Sequence, residues 1–130
     1  MKMSIKLAAL AVVTAGLVGC AAAPIMNVTE APVVTASGKP LTSEQVRAAI
    51  VRAGSSLGWQ MKEDGPGMLI GTLNLRTHTA VVAIPYSPRS YSVQYRSSVN
   101  LDEKGGKIHK NYNGWIQNLT RGINAQLSAS

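Results

Sequence analysis

Few residues of this chain have the types and spacing that chemistry requires. Its 130 residues include one cysteine, two histidines and six acidic residues. Neither His78 nor His109 belongs to a His-x-x-x-His or His-Glu pair, so neither has a second metal ligand at a usual spacing. Glu63 and Asp64 are adjacent in a predicted strand and point to opposite faces, which prevents them from sharing a substrate. Because Gly-x-Ser-x-Gly and Gly-rich phosphate-loop motifs are also missing from the sequence, we expect a protein that is not an enzyme and needs no metal or cofactor.

The single cysteine rules out a disulfide within one chain, and its position indicates another use. Lys2 and Lys6 precede an apolar run, Leu7 to Val18, and no acidic residue occurs before Glu30. As a helix this run would cover about 18 Å, well short of the ~30 Å hydrocarbon core of a bilayer. The pattern is typical of a secretory signal peptide and not of a membrane-spanning helix.

The apolar run ends in Leu17-Val18-Gly19-Cys20, which resembles the lipobox of bacterial lipoproteins. The resemblance implies that the Cys20 sulfur receives a diacylglyceryl group, that residues 1–19 are then removed, and that a third acyl chain joins the new amino group. Several acyl chains exceed the two signals that stable membrane anchoring needs. In the family pattern Ala21 permits sorting to the outer membrane, so we expect a lipid anchor facing the periplasm. The alternative is a signal peptide with a buried or free cysteine.

Cleavage before Cys20 would change the charge of the molecule. The full chain has 13 Lys and Arg against 6 Asp and Glu, a net +7; losing Lys2 and Lys6 leaves 11 against 6, or +5. Lys104, Lys107 and Lys110 recur at intervals of three and are interpreted as a solvated edge. The alternative is a footprint for an acidic partner, such as peptidoglycan, lipopolysaccharide phosphates or an acidic envelope protein. No stacking aromatics flank an arginine cluster, so nucleic acid is not an expected partner.

Residues 20–40 are predicted to form the lipidated cysteine and a flexible tether. The segment is rich in Ala, Pro, Val and Thr, includes Pro24, Pro32 and Pro40, and has no visible helical or strand period. A coil of this length would span roughly 25 Å. The tether would let the domain stand away from the bilayer.

Residues 41–130 are predicted to form one small α+β domain. Thr42 and Gln45 have the spacing of a capping box, and Gly54 and Gly58 offer a stop for the helix that follows. The apolar face of that helix has helical spacing and comprises Val46, Ala49, Ile50, Ala53 and Leu57. Four strands are predicted over residues 59–64, 69–76, 80–86 and 91–101. The third is continuously apolar, which predicts that both its faces are mostly covered.

The fourth strand alternates most clearly, and a second helix closes the chain. Its residues predicted to point inward are Tyr91, Val93, Tyr95, Ser97, Val99 and Leu101. The helix has one apolar face comprising Ile108, Tyr112, Trp115, Ile116, Leu119, Ile123 and Leu127. The order αββββα with short connections predicts an antiparallel four-stranded meander with both helices packed on one face.

Aromatic residues concentrate in the second half of the chain and allow two interpretations. In the first interpretation, the aromatic rings fill the core between sheet and helix, and their polar tips reach its rim. Alternatively, Tyr95, His109, Tyr112 and Trp115 line a groove beside the last helix that binds a ligand or partner. A partner would be an envelope protein, a glycan such as peptidoglycan, or another small ligand.

Three segments of the domain carry a second resemblance. They are Ile84 to Tyr86, Tyr91 to Ser98 and Ile108 to Leu119. These segments resemble a group of small, uncharacterised lipoproteins from Gram-negative bacteria, and the likeness extends over most of the domain. The resemblance implies a lipoprotein and assigns no catalytic residue. We therefore expect a non-enzymatic, membrane-tethered domain that binds or scaffolds another envelope component.

Overall fold

The structure, a computed structural model, describes residues 21–130. The predicted signal peptide and the lipid attachment at Cys20 lie outside the described residues. In chain order the elements are β1 (Ala22–Pro24), β2 (Val28–Pro32), α1 (Ser43–Ser56), β3 (Trp59–Glu63), β4 (Met68–Leu75), β5 (His78–Pro85), β6 (Ser90–Val99), β7 (Lys107–His109) and α2 (Lys110–Ser128).

The predicted α+β class is confirmed. Strands β3 to β6 form the expected antiparallel meander, in which each strand pairs with its neighbour in the chain. The sheet has one strand more than predicted, because β2 pairs with β6 and gives the order β2-β6-β5-β4-β3. β1 and β7 form a separate two-stranded ribbon.

Helix α1 begins and ends where its sequence predicts. The Thr42 side chain accepts a hydrogen bond from the Gln45 N–H at 3.1 Å, and the Gln45 side chain accepts one from the Thr42 N–H at 2.9 Å. This reciprocal pair is the predicted capping box. After Ser56 the chain reverses through Gly58, whose φ of 89° favours glycine.

Helix α2 starts at Lys110, two residues later than its apolar pattern indicates. Ile108 belongs to β7 and is fully buried there. It matches the apolar spacing of the helix but is not part of the helix. The His109 side chain caps the helix by accepting a hydrogen bond from the Asn111 N–H. The buried face of α2 comprises Tyr112, Ile116, Leu119, Ile123 and Leu127.

One face of the sheet packs against both helices, and the other face is open. Side chains on the packed face join the helices in one core, among them Leu69, Leu73, Val82, Ile84, Tyr91 and Val93. On the opposite face Ile70, Thr72 and Val81 are only half-buried. The prediction that both faces of the third strand of the meander are mostly covered is confirmed for the helix side and holds only in part for the other, where Ala83 is buried and Val81 is half-buried.

A bulge in β6 reverses the side-chain alternation after Tyr95. The register with β5 shifts there and leaves Arg96 as an extra residue. Ser98 consequently points toward the helices, where its Oγ lies 2.8 Å from the Tyr95 hydroxyl. Val99 points to the open face and is 60% exposed. The predicted inward orientation of Ser97 and Val99 is wrong, because one inserted residue moves the following side chains to the other face.

The prediction of a flexible tether is wrong for the N-terminal segment that the structure describes. Strands β1 and β2 both lie in it, and each pairs with a strand at least 58 positions later in the sequence. Its half-buried side chains pack against the core and comprise Ile25, Met26, Val28, Ala31 and Val33. The folded domain therefore begins at Ala22 and not at Leu41.

The same segment has no visible strand pattern because β2 is bulged. Its register with β6 shifts between Val28 and Ala31, and Glu30 has a φ of 47°. The shift breaks the two-residue alternation in the middle of the strand. Pro24 and Pro32 both lie on edge strands, where the missing N–H costs little pairing.

Candidate functional site

Of the four residues predicted to line a groove, Tyr112 lies in the core and the half-buried Tyr95 packs against it. The rings of Tyr95 and Tyr112 meet edge to face, with centroids 5.5 Å apart. Tyr112 is fully buried, and its hydroxyl has no hydrogen-bond partner among residues 21–130. Burial raises the pKa of Tyr112, with a smaller contribution from Tyr95. Tyr112 therefore contributes to packing and offers no surface to a ligand.

The other two residues of the predicted groove are separate from this tyrosine pair. His109 caps α2 through Nδ1, which lies 3.2 Å from the Asn111 nitrogen. The half-buried indole of Trp115 instead lies beside His78, with ring centroids 6.3 Å apart. Described cavities beside α2 are lined by other residues.

An exposed ion-pair cluster connects α1 with the end of β3. Arg47 pairs with Glu44 one turn earlier in the helix, and its Nε lies 3.2 Å from a carboxylate oxygen of Glu63. The hydrogen bond and charge of Arg47 lower the pKa of Glu44. Both carboxylates are largely exposed to solvent, which is typical of a surface ion pair and not of a general acid or base.

The side of α2 that faces β2 forms a shallow groove, which we call the β2–α2 seam. A cavity of about 300 Å³ in the seam is lined by Met26, Val28, Gln117, Thr120 and Arg121. A second cavity of about 300 Å³ lies further along the same strand and helix, lined by Ala31, Pro32, Val34, Asn124 and Ser128. Strand residues make the seam apolar, and helix residues give it a polar rim. Val34 is 63% exposed.

Asn113 fastens the strand side of the seam to the helix. Its Oδ1 accepts a hydrogen bond from the Met26 N–H at 3.0 Å, and its Nδ2 donates one to the Pro24 carbonyl at 2.9 Å. Asn27 adds a contact to β6, because its Oδ1 accepts from the Tyr95 N–H at 2.8 Å. The segment that joins β1 to β2 is therefore held by side chains on both sides, and the seam has fixed walls.

Sequence analysis misses the seam because it treats the strand side as a tether. Gln117 and Arg121 are four residues apart on one face of α2, but that face contains only polar residues and predicts solvent exposure. The apolar residues of the strand side, Met26, Val28, Ala31 and Val33, are the available signal. Their spacing indicates a strand only if a bulge is placed after Val28.

The described residues contain few other functional features. Residues 21–130 hold no group of three His, Cys, Asp or Glu side chains placed to bind a metal ion. No helix in the described part of the chain is long and apolar enough to cross a membrane. Comparison of the chain with protein-family models, with curated proteins and with solved structures finds no match.

Proposed function

We propose that this protein is a non-enzymatic lipoprotein of the bacterial envelope, anchored through acylated Cys20 to the periplasmic face of the outer membrane. Its domain binds or scaffolds another envelope component. The observation that carries the proposal is the lipobox-like Leu17-Val18-Gly19-Cys20 at the end of a short apolar run. The first strand starts at Ala22, so cleavage before Cys20 would leave every described element intact.

Substitution of the cysteine tests the anchor directly. We expect the native protein to sediment with membranes and to incorporate radioactive palmitate, and Cys20→Ala to do neither. Val18→Ala is the matched control, because it keeps a small residue before the cysteine and should leave processing unchanged. Membrane retention of Cys20→Ala would contradict the lipid anchor.

The residue after the cysteine tests the choice of membrane. Ala21 fits the outer-membrane pattern of the family that the motif resembles, and Asp at this position fits the inner-membrane pattern. We expect Ala21→Asp to move the protein from the outer-membrane to the inner-membrane band of a density gradient. An unchanged distribution would contradict outer-membrane sorting by this residue.

The β2–α2 seam is the surface that we assign to the partner. Its apolar strand side and its rim of Gln117 and Arg121 combine burial of apolar area with directional polar contacts, as protein interfaces do. The bulge in β2 and Pro32 make this edge a poor template for an added strand. A partner would therefore be recognised through side chains and not by extension of the sheet.

Site-specific photocrosslinking in intact cells tests this assignment. A benzophenone amino acid at Gln117 is expected to give an adduct of discrete mass with an envelope protein. The matched control is Ser55, an exposed residue of α1. Helix α1 packs against α2 away from the seam. An adduct from Ser55 but not from Gln117 would contradict binding at the seam.

A glycan ligand is the second candidate, and Arg121 is the observation that favours it. Among residues 21–130, this exposed guanidinium on the rim donates hydrogen bonds only to neutral groups of its own helix, on Gln117 and Asn118, so it is available to a carboxylate of peptidoglycan. Titration with peptidoglycan fragments would then shift the backbone amide signals of Gln117 and Arg121. Shifts around Trp115 alone would favour a different site, and no shifts would contradict glycan binding.

A further inference from the structure

We infer that the domain rests directly on the phospholipid leaflet that holds its acyl chains, with one defined end turned toward the headgroups. This end comprises the β4–β5 turn, the C-terminal end of β6 and the start of α2, and we call it the anchor end. The inference rests on the proposed lipid attachment at Cys20. It adds an orientation and a membrane-contact surface, which the anchor alone does not specify.

The length of chain between Cys20 and β1 limits the distance between the membrane surface and the domain. Ala22 is already paired in β1, opposite His109. Two residue steps separate it from Cys20, and an extended chain covers at most about 3.6 Å a step, or about 7 Å in total. The headgroup layer on each side of a bilayer is about 5–8 Å thick. A lipidated Cys20 would therefore hold the start of β1 at the membrane surface.

Backbone contacts place the start of β1 at one end of the sheet. The Lys110 N–H donates to the Ala21 carbonyl at 3.1 Å, which joins the N-terminal segment to the beginning of α2. The His109 N–H donates to the Leu101 carbonyl at 2.9 Å, just beyond the end of β6. The chain therefore enters the domain beside the C-terminal end of β6.

The β4–β5 turn lies at this same end. His78 Nδ1 donates to the Asn100 carbonyl at 2.7 Å, and its ring contacts Trp115 of α2. His78 pairs with Leu75 across the turn, and Val99 pairs with the next residue of β5. The anchor end thus contains one imidazole ring, one indole ring and two aliphatic side chains, each from a different element.

The exposed apolar groups at the anchor end suit a headgroup layer. Leu75 is 44% exposed and Val99 is 60% exposed. Leucine and valine side chains are more often buried in the core of a domain. The half-buried indole of Trp115 is the side chain most characteristic of the membrane interface. These groups would exchange water for the acyl boundary once the anchor holds them there.

The anchor end also contains more basic than acidic residues. The turns and the helix start at the anchor end contain four basic residues, Arg76, Lys104, Lys107 and Lys110, and two acidic residues, Asp102 and Glu103. The opposite end contains the acidic residues Glu44, Glu63 and Asp64 and the basic residues Lys39, Arg47, Lys62 and Arg89, and Arg47 is paired with Glu44 and Glu63. Lysine and arginine side chains are attracted to a surface that contains anionic phospholipids. The short linkage and the exposed apolar groups therefore set the orientation, and the basic residues of the anchor end are compatible with it.

Depth-dependent fluorescence quenching tests the orientation. The lipidated mature protein has its sole native cysteine blocked by the acyl group, so a new cysteine can be labelled alone. Environment-sensitive labels are placed on Leu75→Cys and Val99→Cys at the anchor end. Pro66→Cys in the β3–β4 turn is the matched control, since β4 extends roughly 24 Å between the two turns at 3.4 Å per residue. Vesicles contain phosphatidylethanolamine, phosphatidylglycerol and a headgroup spin-labelled lipid.

We expect the labels at Leu75 and Val99 to lose most of their emission and the label at Pro66 to retain it. A flexible insert of about twenty Gly and Ser residues between Cys20 and Ala21 should abolish this difference, because such a chain spans about 25 Å. Flotation with equal quenching at both ends, or a difference that survives the insert, would overturn the inferred orientation. Failure of the native protein to float with the vesicles would instead contradict the proposed lipid anchor.

Discussion

Single polar side chains attach the N-terminal segment to the rest of the domain. Asn113 binds both a donor and an acceptor of this segment, and Asn27 binds the backbone of β6. An amide side chain can replace a neighbouring strand in this way, because it carries one acceptor and a donor group side by side. The sequence contains no pattern that distinguishes Asn113 from the exposed asparagines of α2, since its partners lie nearly 90 residues earlier.

Asn113→Ala is expected to destabilise the domain. It leaves the Met26 N–H and the Pro24 carbonyl without their partner, and two lost hydrogen bonds of about 1 kcal/mol each give a loss of about 2 kcal/mol. Urea unfolding followed by circular dichroism measures the change. Asn118→Ala is the matched control, because within the described part of the chain the Asn118 side chain bonds only to the exposed Arg121. Equal effects of the two substitutions would contradict the role of Asn113.

Two buried tyrosines predict a loss of stability at high pH. Burial raises the pKa of Tyr91 to about 12 and also raises that of Tyr112. An unfolded tyrosine loses its proton near about pH 10, so above that pH the folded protein binds more protons than the unfolded chain. The contribution of the two protonated tyrosines to the free energy of unfolding is therefore fully present below about pH 10, and it is lost as the pH rises toward 12. Tyr91→Phe should reduce the slope of unfolding free energy against pH; an unchanged slope would contradict this assignment.

At the scale of elements, the sequence predicts regular patterns well and bulged ones poorly. The capping box of α1 and the apolar face of α2 from Tyr112 onward depend on neighbouring residues, and both are confirmed. Strand β2 is missed and the end of β6 is misassigned because each contains an inserted residue. One wall of the β2–α2 seam is β2, so the residues that line the seam are not predictable from local patterns.

Substitution of two glycines distinguishes the effect of side-chain packing on stability from the effect of helix propensity. A Cβ at Gly114 in α2 would meet no atom within 4 Å, so Gly114→Ala is expected to stabilise the domain by about 1 kcal/mol through helix propensity. A Cβ at Gly71 in β4 would lie 3.1 Å from the Met61 sulfur and 3.2 Å from a Val82 methyl. Gly71→Ala should therefore destabilise by about 1–3 kcal/mol through overpacking. Thermal unfolding measures both, and changes of the same sign would contradict the packing described for β4.

At the scale of the whole molecule, the N-terminal segment belongs to the domain and leaves almost no tether. The tether was predicted from composition, and composition does not show that strands β1 and β2 pair with distant partners. For the lipid anchor that we propose at Cys20, the structure therefore implies a different arrangement at the membrane. A domain on a long coil can reach partners at many angles, whereas a domain joined within two residues of its anchor has one end close to the leaflet.

Removal of residues 21–40 tests whether this segment is part of the fold. Without it, β6 becomes an edge strand and the core loses the apolar side chains of β2. We expect a chain that starts at Leu41 to lose cooperative thermal unfolding, and a chain that starts at Ala21 to retain it. Equal unfolding curves for the two chains would show that the segment contributes nothing to stability.

The central claim is that acylated Cys20 is the N-terminal residue of the mature protein. Mass spectrometry of the N-terminal peptide, from protein purified out of the membrane fraction, tests it most directly. We predict a peptide that begins at Cys20 and carries a diacylglyceryl group on the sulfur. A peptide that retains residues before Cys20, or one that carries a free Cys20 thiol, would contradict the lipoprotein assignment and the membrane orientation derived from it.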